Sequence, residues 1–240
     1  MPDQAGNVVT ALKKVGGFSK AVRVRADDGR MYIVKGLQAG EDMGPRLFVD
    51  QVVGRLGTAI GAPVGEVGVL SINEQIIDGS LSAAHLTPGP MHACLEVPRV
   101  NVGWGVEHLD VAANPHRFAL LATLYGWCGA DDHQFFYSLD PPELVYSFDH
   151  GHFFPGEPLW SPEALNEAPP AEFDRVIIEA AFLSSTALRQ SLHPLASITP
   201  DTIAKAVGAS PVEWGVDLNA RIATATFLEK RRHQLLKQFS

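Results

Sequence analysis

The chain has 240 residues, 46% of them hydrophobic and 19% charged, with a formal charge of −8. That is enough apolar material for one large domain or two small lobes, and without a long basic run it is unsuited to a nucleic-acid backbone or an anionic membrane. No stretch approaches the roughly 20 apolar residues of a membrane span, the amino terminus lacks a charged segment followed by an apolar one, and the two cysteines, Cys94 and Cys128, lack CxxC spacing. A reducing, cytoplasmic compartment with no membrane contact is expected.

Ala21 to Ala26 alternates apolar with polar, Asp27-Asp28-Gly29 supplies a turn, and Met31 to Lys35 reads as the return strand of a hairpin. From Arg46 to Ile60 the apolar residues Leu47, Val52, Val53, Leu56 and Ile60 recur at helical spacing, and Gly61 with Pro63 ends the run. Val64 to Leu70 and Glu74 to Ile77 read as further short strands. Pro88-Gly89-Pro90 breaks the chain and is expected to connect two parts near residue 90. Beyond it, Pro115 to Gly126 has a helical pattern, with Pro115 near the first helical position.

Two acidic points then flank one hairpin. Asp131-Asp132-His133-Gln134 leads into Phe135-Phe136-Tyr137, and Leu144 to Phe148 runs out into Asp149-His150-Gly151-His152. The Pro-rich stretch between the runs cannot continue a central strand and reads as the turn. Antiparallel pairing about Pro141 sets Asp132 and Asp149 opposite each other at the open end, roughly 5 Å apart between Cα atoms. Converging carboxylates repel, so they call for a cation, a shared proton or a division of catalytic labour, and Mg²⁺ fits best.

A loop from Phe153 to Ala168 is followed by helical patterns over Ala171–Ser191, Pro200–Val207, capped by Thr199, and Asp217–Phe239. Lys230-Arg231-Arg232-His233 falls near the end of the last, where cations favour the helix dipole. Trp104, Trp127 and Trp160 are expected to fill core or interface space. The layout is α+β, with a small β-rich part over 1–90 and a larger, mainly helical one over 91–240.

Lys35 ends a strand, the glycine-bearing segment Gly16-Gly17-Phe18-Ser19 precedes that hairpin, Asp50 lies on the next helix, and two acids sit on a later hairpin. These are the parts of phosphoryl transfer in their usual order. Adjacent glycines let backbone N–H groups approach phosphates. The sequence resembles the HipA-like kinase family, a divergent branch of the protein-kinase and phosphoinositide-kinase-like fold. The resemblance rests on Asp28 to Lys35, on Arg55-Leu56-Gly57 with Gly61-Ala62-Pro63-Val64, on the Asp132 region and on Asp149-His150-Gly151.

The resemblance implies a two-lobe kinase-like fold and an ATP- and Mg²⁺-dependent phosphotransferase. Lys35, Asp50, Gly16, Gly17 and Ser19 would serve the nucleotide, Asp132 would be the catalytic acid, and Asp149 with Gln134 would hold Mg²⁺. The acceptor hydroxyl, on a protein Ser or Thr or on a small molecule, is open. Two positions depart from the family pattern: Asp50 stands where relatives carry glutamate, a shorter arm expected to weaken the pair with Lys35, and Gln134 stands in for an asparagine normally a few residues further on. A pseudokinase that binds nucleotide without turnover is therefore one alternative. A metal-dependent hydrolase using His150 and His152, which in extended chain would point the same way, is another.

Overall fold

The computed structural model of the chain describes residues 5–15, 20–156 and 159–239. The amino-terminal part is strand-rich. Strands β1 (Ala5–Lys14), β2 (Val22–Ala26) and β3 (Met31–Lys35) run up and down, followed by helix α1 (Gly44–Ala59), β4 (Val67–Ile72), the short α2 (Glu74–Asp78) and β5 (Gly89–Leu95). The strands close into a barrel in the order β1-β2-β3-β5-β4, sealed by parallel pairing of β1 with β4. The alternation read in β2 and β3 is realised: Val22, Val24 and Ala26 of one strand and Tyr32 and Val34 of the other are buried, with Leu70, Ile72 and Met91, in one cluster.

Two expectations are corrected here, and one strand was not anticipated. Glu74–Ile77 is helix rather than strand, because the Asn73 side chain caps it by accepting the Ile76 N–H at 2.9 Å. Pro88-Gly89-Pro90 leads into β5, which pairs with both β3 and β4, so the break opens a strand of the barrel rather than leaving it. β1 shows no clean alternation in sequence because its pairing with β2 shifts register twice, after Val8 and after Ala11.

Helix α1 is buried on nearly all sides, which marks an internal element rather than a surface one. It packs on β4 and β5 and on the later helices α3 (Asn114–Cys128) and α7 (Pro200–Gly208). α3 is likewise a core helix, burying Phe118, Leu121, Leu124, Tyr125 and Trp127. Gly126 is required within it, since a Cβ there would lie 2.1 Å from the Glu172 carbonyl oxygen.

β6 (Val100–Val102), β7 (Phe135–Ser138) and β8 (Val145–Ser147) form a second, three-stranded antiparallel sheet. The expected hairpin is present, with Phe135 opposite Ser147. The carboxy-terminal part continues through α4 (Pro162–Glu167), α5 (Arg175–Ala180), α6 (Ser185–Ala196), α7 and α8 (Leu218–Leu236). The helix expected over 171–191 is two, because Asp174 and Ser184 each start a new helix by capping it. No helix among the described residues is long and apolar enough to cross a membrane.

The basic cluster on α8 does something other than complement its own helix dipole. Arg231 is buried and donates from Nε to the Trp127 carbonyl (2.9 Å), from Nη2 to Gly126 O (2.7 Å) and from Nη1 to Pro169 O (2.7 Å). It thereby satisfies carbonyls at the carboxy end of α3 that have no intrahelical partner. Arg231→Ala leaves these acceptors unmatched and is expected to cost about 3 kcal/mol in urea unfolding, with Arg231→Lys, which lacks the planar fork, recovering only part.

Candidate active site

A cleft of about 1170 Å³ lies between the barrel and the second sheet, and Lys35, Asp50, Asp132, Gln134 and Asp149 all line it. Sequence positions far apart are thus brought to one place. Residues 16, 17 and 19 lie outside the described residues. Val15, just before them, and Ala21, a little after, line the same cleft and are joined by a hydrogen bond from Val15 N to Ala21 O of 2.7 Å.

Lys35, at the end of β3, is the centre. Its Nζ lies 2.7 Å from Asp50 Oδ2 on α1 and also donates to Asp149 Oδ1 beyond β8. The shorter arm of aspartate therefore reaches the lysine, contrary to the expectation from the glutamate of relatives. Burial alone would lower the Lys35 pKa, but the two carboxylates raise it above the ordinary lysine value. For Asp50, burial pushes the other way too, and Lys35 holds the carboxyl below its usual range. Charges this deep are tolerable only while paired.

Asp149 has a left-handed backbone, φ 65°, a conformation that aspartate tolerates better than most residues. The turn sends neighbouring side chains in different directions. His150 is buried, with Nε2 3.0 Å from Ser147 Oγ, which in turn lies 2.8 Å from the Tyr125 hydroxyl. His152 lines the cleft. The extended alternation that would join His150 and His152 into a chelate is absent, and no cluster of three His, Cys, Asp or Glu side chains suited to a metal occurs among the described residues.

Asp131, Asp132 and Gln134 face the cleft from the segment before β7. The Asp132 pKa is raised, first by partial burial and then by the charge of Asp149. The hairpin pairing ends at Phe135 and Ser147, and Asp132 and Asp149 lie beyond it on either side. The segment is pinned by a residue that sequence reasoning missed. Asp174 accepts from Ile177 N with one carboxylate oxygen, and with the other lies 2.8 Å from His133 Nε2. His133 is raised in pKa chiefly by that hydrogen bond.

His92, on β5, was also missed, since one histidine in an apolar strand carries no signal. It is buried, and Gln51 of α1 lies 3.0 Å from its Nδ1. Burial pushes its pKa down to about 4 from 6.5. The folded state thus keeps His92 neutral while the unfolded chain takes up a proton below 6.5.

Two outcomes follow. Melting temperature is expected to fall as pH drops from about 6.5 to about 4, less steeply in His92→Gln. Lys35→Met strands the buried Asp50 carboxylate and is expected to cost about 3–5 kcal/mol in denaturant unfolding.

The fold defined by barrel, core helix and acidic hairpin is kinase-like. It aligns with the crystal structure of the Helicobacter pylori proinflammatory kinase CtkA over 97% of this chain and 93% of that one, at a TM-score of 0.63 and 12% identity. It also aligns with the Golgi casein kinase (TM-score 0.56, 11% identity) and with its Mn/ADP-bound form (0.55, 9%), in each case over 98% of this chain and 74% of the other. No protein-family model matches the sequence, and no curated protein matches it.

Proposed function

We propose that the protein is an ATP- and Mg²⁺-dependent phosphotransferase of the HipA-like kind, with two lobes and the nucleotide between them. The small lobe comprises the barrel with α1 and α2. In this reading the boundary lies near residue 90, and the pairing of β5 with β3 and β4 supports counting that strand with the small lobe. The observation that carries the reading is the meeting of Lys35, Asp50, Asp132 and Asp149 in one cleft of a fold shared with kinases.

The residues fit a divalent cation. Asp149 and the Gln134 amide offer hard oxygen ligands on the cleft wall, which Asp132 also lines. Mg²⁺ held there would neutralise phosphate charge. Lys35 has three N–H donors, and with Asp50 and Asp149 taking one each, a third remains for a phosphate oxygen. Asp132, kept partly desolvated, accepts the proton of the acceptor hydroxyl. The acceptor oxygen then bonds to the γ-phosphorus as the bond from that phosphorus to the bridging oxygen breaks, and ADP leaves.

The test is thermal stability with ATP and excess Mg²⁺ beside transfer of labelled γ-phosphate. Wild type is expected to gain melting temperature only when both ligands are present. Asp149→Asn, which keeps the left-handed backbone accessible, should lose that gain, while Asp132→Asn should keep it and lose transfer by at least about a hundredfold. A melting shift without transfer in the wild type would identify a pseudokinase, and an unchanged Asp149→Asn enzyme would sink the assignment.

A further inference from the structure

Trp104 was expected in the core. Instead it is fully exposed, at 101% of the reference area, just past β6, whose Val102 is 56% exposed. The loop that carries it is built rather than loose. The Trp104 N–H donates to the Glu107 carboxylate, the Glu107 N–H donates to the buried Tyr137 hydroxyl at 2.8 Å, and that hydroxyl donates to Gly105 O at 2.7 Å. Gly105 has φ +146°, which only glycine adopts freely, and a Cβ on Gly103 would lie 2.3 Å from the Tyr137 ring. Fixed structure thus holds a large apolar side chain in water, at a cost that burial against a neighbour offsets.

The strand beside this loop is the free edge of the second sheet. β6 lies along β7 with Val100 opposite Ser138, Asn101 opposite Tyr137 and Val102 opposite Phe136. The Gly103 N–H donates to Phe135 O and the Leu139 N–H to Arg99 O, while the Ser138 N–H turns the other way, to Leu144 O. By antiparallel alternation Asn101 bonds to β7, and the N–H and C=O groups of Val100 and Val102 point outward, with no partner among the described residues. The open row is short and bounded. Arg99, at φ +54°, turns the chain before it, Pro98 has no N–H, and the Trp104 N–H beyond it is engaged by Glu107. Other edges are closed: the barrel has none, and the outer side of β8 is covered where the Ser147 N–H donates to Pro63 O and Val64 pairs in parallel with Ser147.

We propose that the free edge of β6 pairs antiparallel with the same edge of a second copy of this chain, about a two-fold axis through Asn101. In that register Val100 faces the second copy's Val102 and Val102 faces its Val100. Each of these pairs exchanges both of its N–H···O bonds, so every outward group of the two strands is matched. The exchange is reciprocal, as an isologous contact requires, and the two three-stranded sheets join into one. A longer extended partner gains nothing over this one, because the open row ends with β6 on both sides. Each Trp104 falls at the Pro98–Arg99 end of the other strand, where both residues are exposed and a guanidinium suits an indole face. Since Val100 and Val102 also line the cleft, the axis runs between the rims of two clefts. So short a ladder belongs to the small, transient class of interface, and the inference stands apart from the kinase reading.

Sedimentation of the whole chain from about 5 to about 200 µM tests the association. The wild-type mass is expected to rise toward twice that of one chain. Val102→Pro deletes an outward N–H, a substitution that edge strands accept, and Trp104→Ser removes the indole, each weakening association at least about tenfold. Crosslinking tests the register. Residues on the axis form a non-hydrogen-bonded pair with Cα atoms about 4.5 Å apart, within disulfide range. Asn101→Cys is therefore expected to give a covalent dimer on mild oxidation, above the wild-type background from Cys94 and Cys128. Leu139→Cys, exposed but one strand further from the axis, is expected to give none above it. A wild type that stays monomeric throughout, association equal in wild type and both edge variants, or crosslinking no stronger in Asn101→Cys than in Leu139→Cys overturns the proposal. Should Val102→Pro lose its native melting transition, Trp104→Ser and the Asn101→Cys crosslink decide.

Discussion

One buried lysine shared between two carboxylates is the constraint on which the rest depends. Lys35 comes from a barrel strand, Asp50 from the core helix and Asp149 from the end of a hairpin in the other part of the chain. The Lys35 and Asp50 charges would be intolerable at that depth without each other, because losing water costs several kcal/mol per ion and only close partners offset it, while Asp149 reaches the lysine from the more open side. Barrel, helix and hairpin are therefore held in mutual register at one point by electrostatics, while apolar packing around α1 holds them elsewhere.

That arrangement also separates the acids by role. Asp50 is held ionised by Lys35, whereas Asp132 is pushed toward protonation by partial burial and by the charge of Asp149. Groups of one chemical type are thus placed in environments that drive their pKa values apart. His133 and Asp174 extend the pattern outward, tying the segment that carries Asp132 to the first turn of α5.

The legible parts of the sequence were those where one local rule acts alone. Period-two alternation in β2 and β3, helical spacing in α1 and α3, and a proline-broken turn between two aromatic runs each gave the element found, and the lysine and acids at their ends gave the cleft. Where two rules compete, reading failed. β1 is interrupted by register shifts, β6 is too short to show a period, and Ile76-Ile77 looked like a strand until Asn73 capped it as a helix. Tertiary partnerships left no local trace at all: nothing near Arg231 announces that it caps α3 from another helix, and nothing near Trp104 announces that Tyr137 builds a loop that keeps it in water.

Closure of the barrel has a consequence for how the molecule assembles. The β2–β3 pairing joins neighbours across a tight turn and can form within microseconds, as isolated hairpins do. The β1–β4 pairing is parallel and joins the first strand to one that follows α1, so its loop-closure entropy must be met before any ladder bond rewards it. Ring closure is thus the step of highest contact order in the strand-rich part. Until β1 and β4 meet, both strands expose unpaired edges, so the time spent before closure, rather than the stability of the finished barrel, sets the interval in which this chain is open to aggregation.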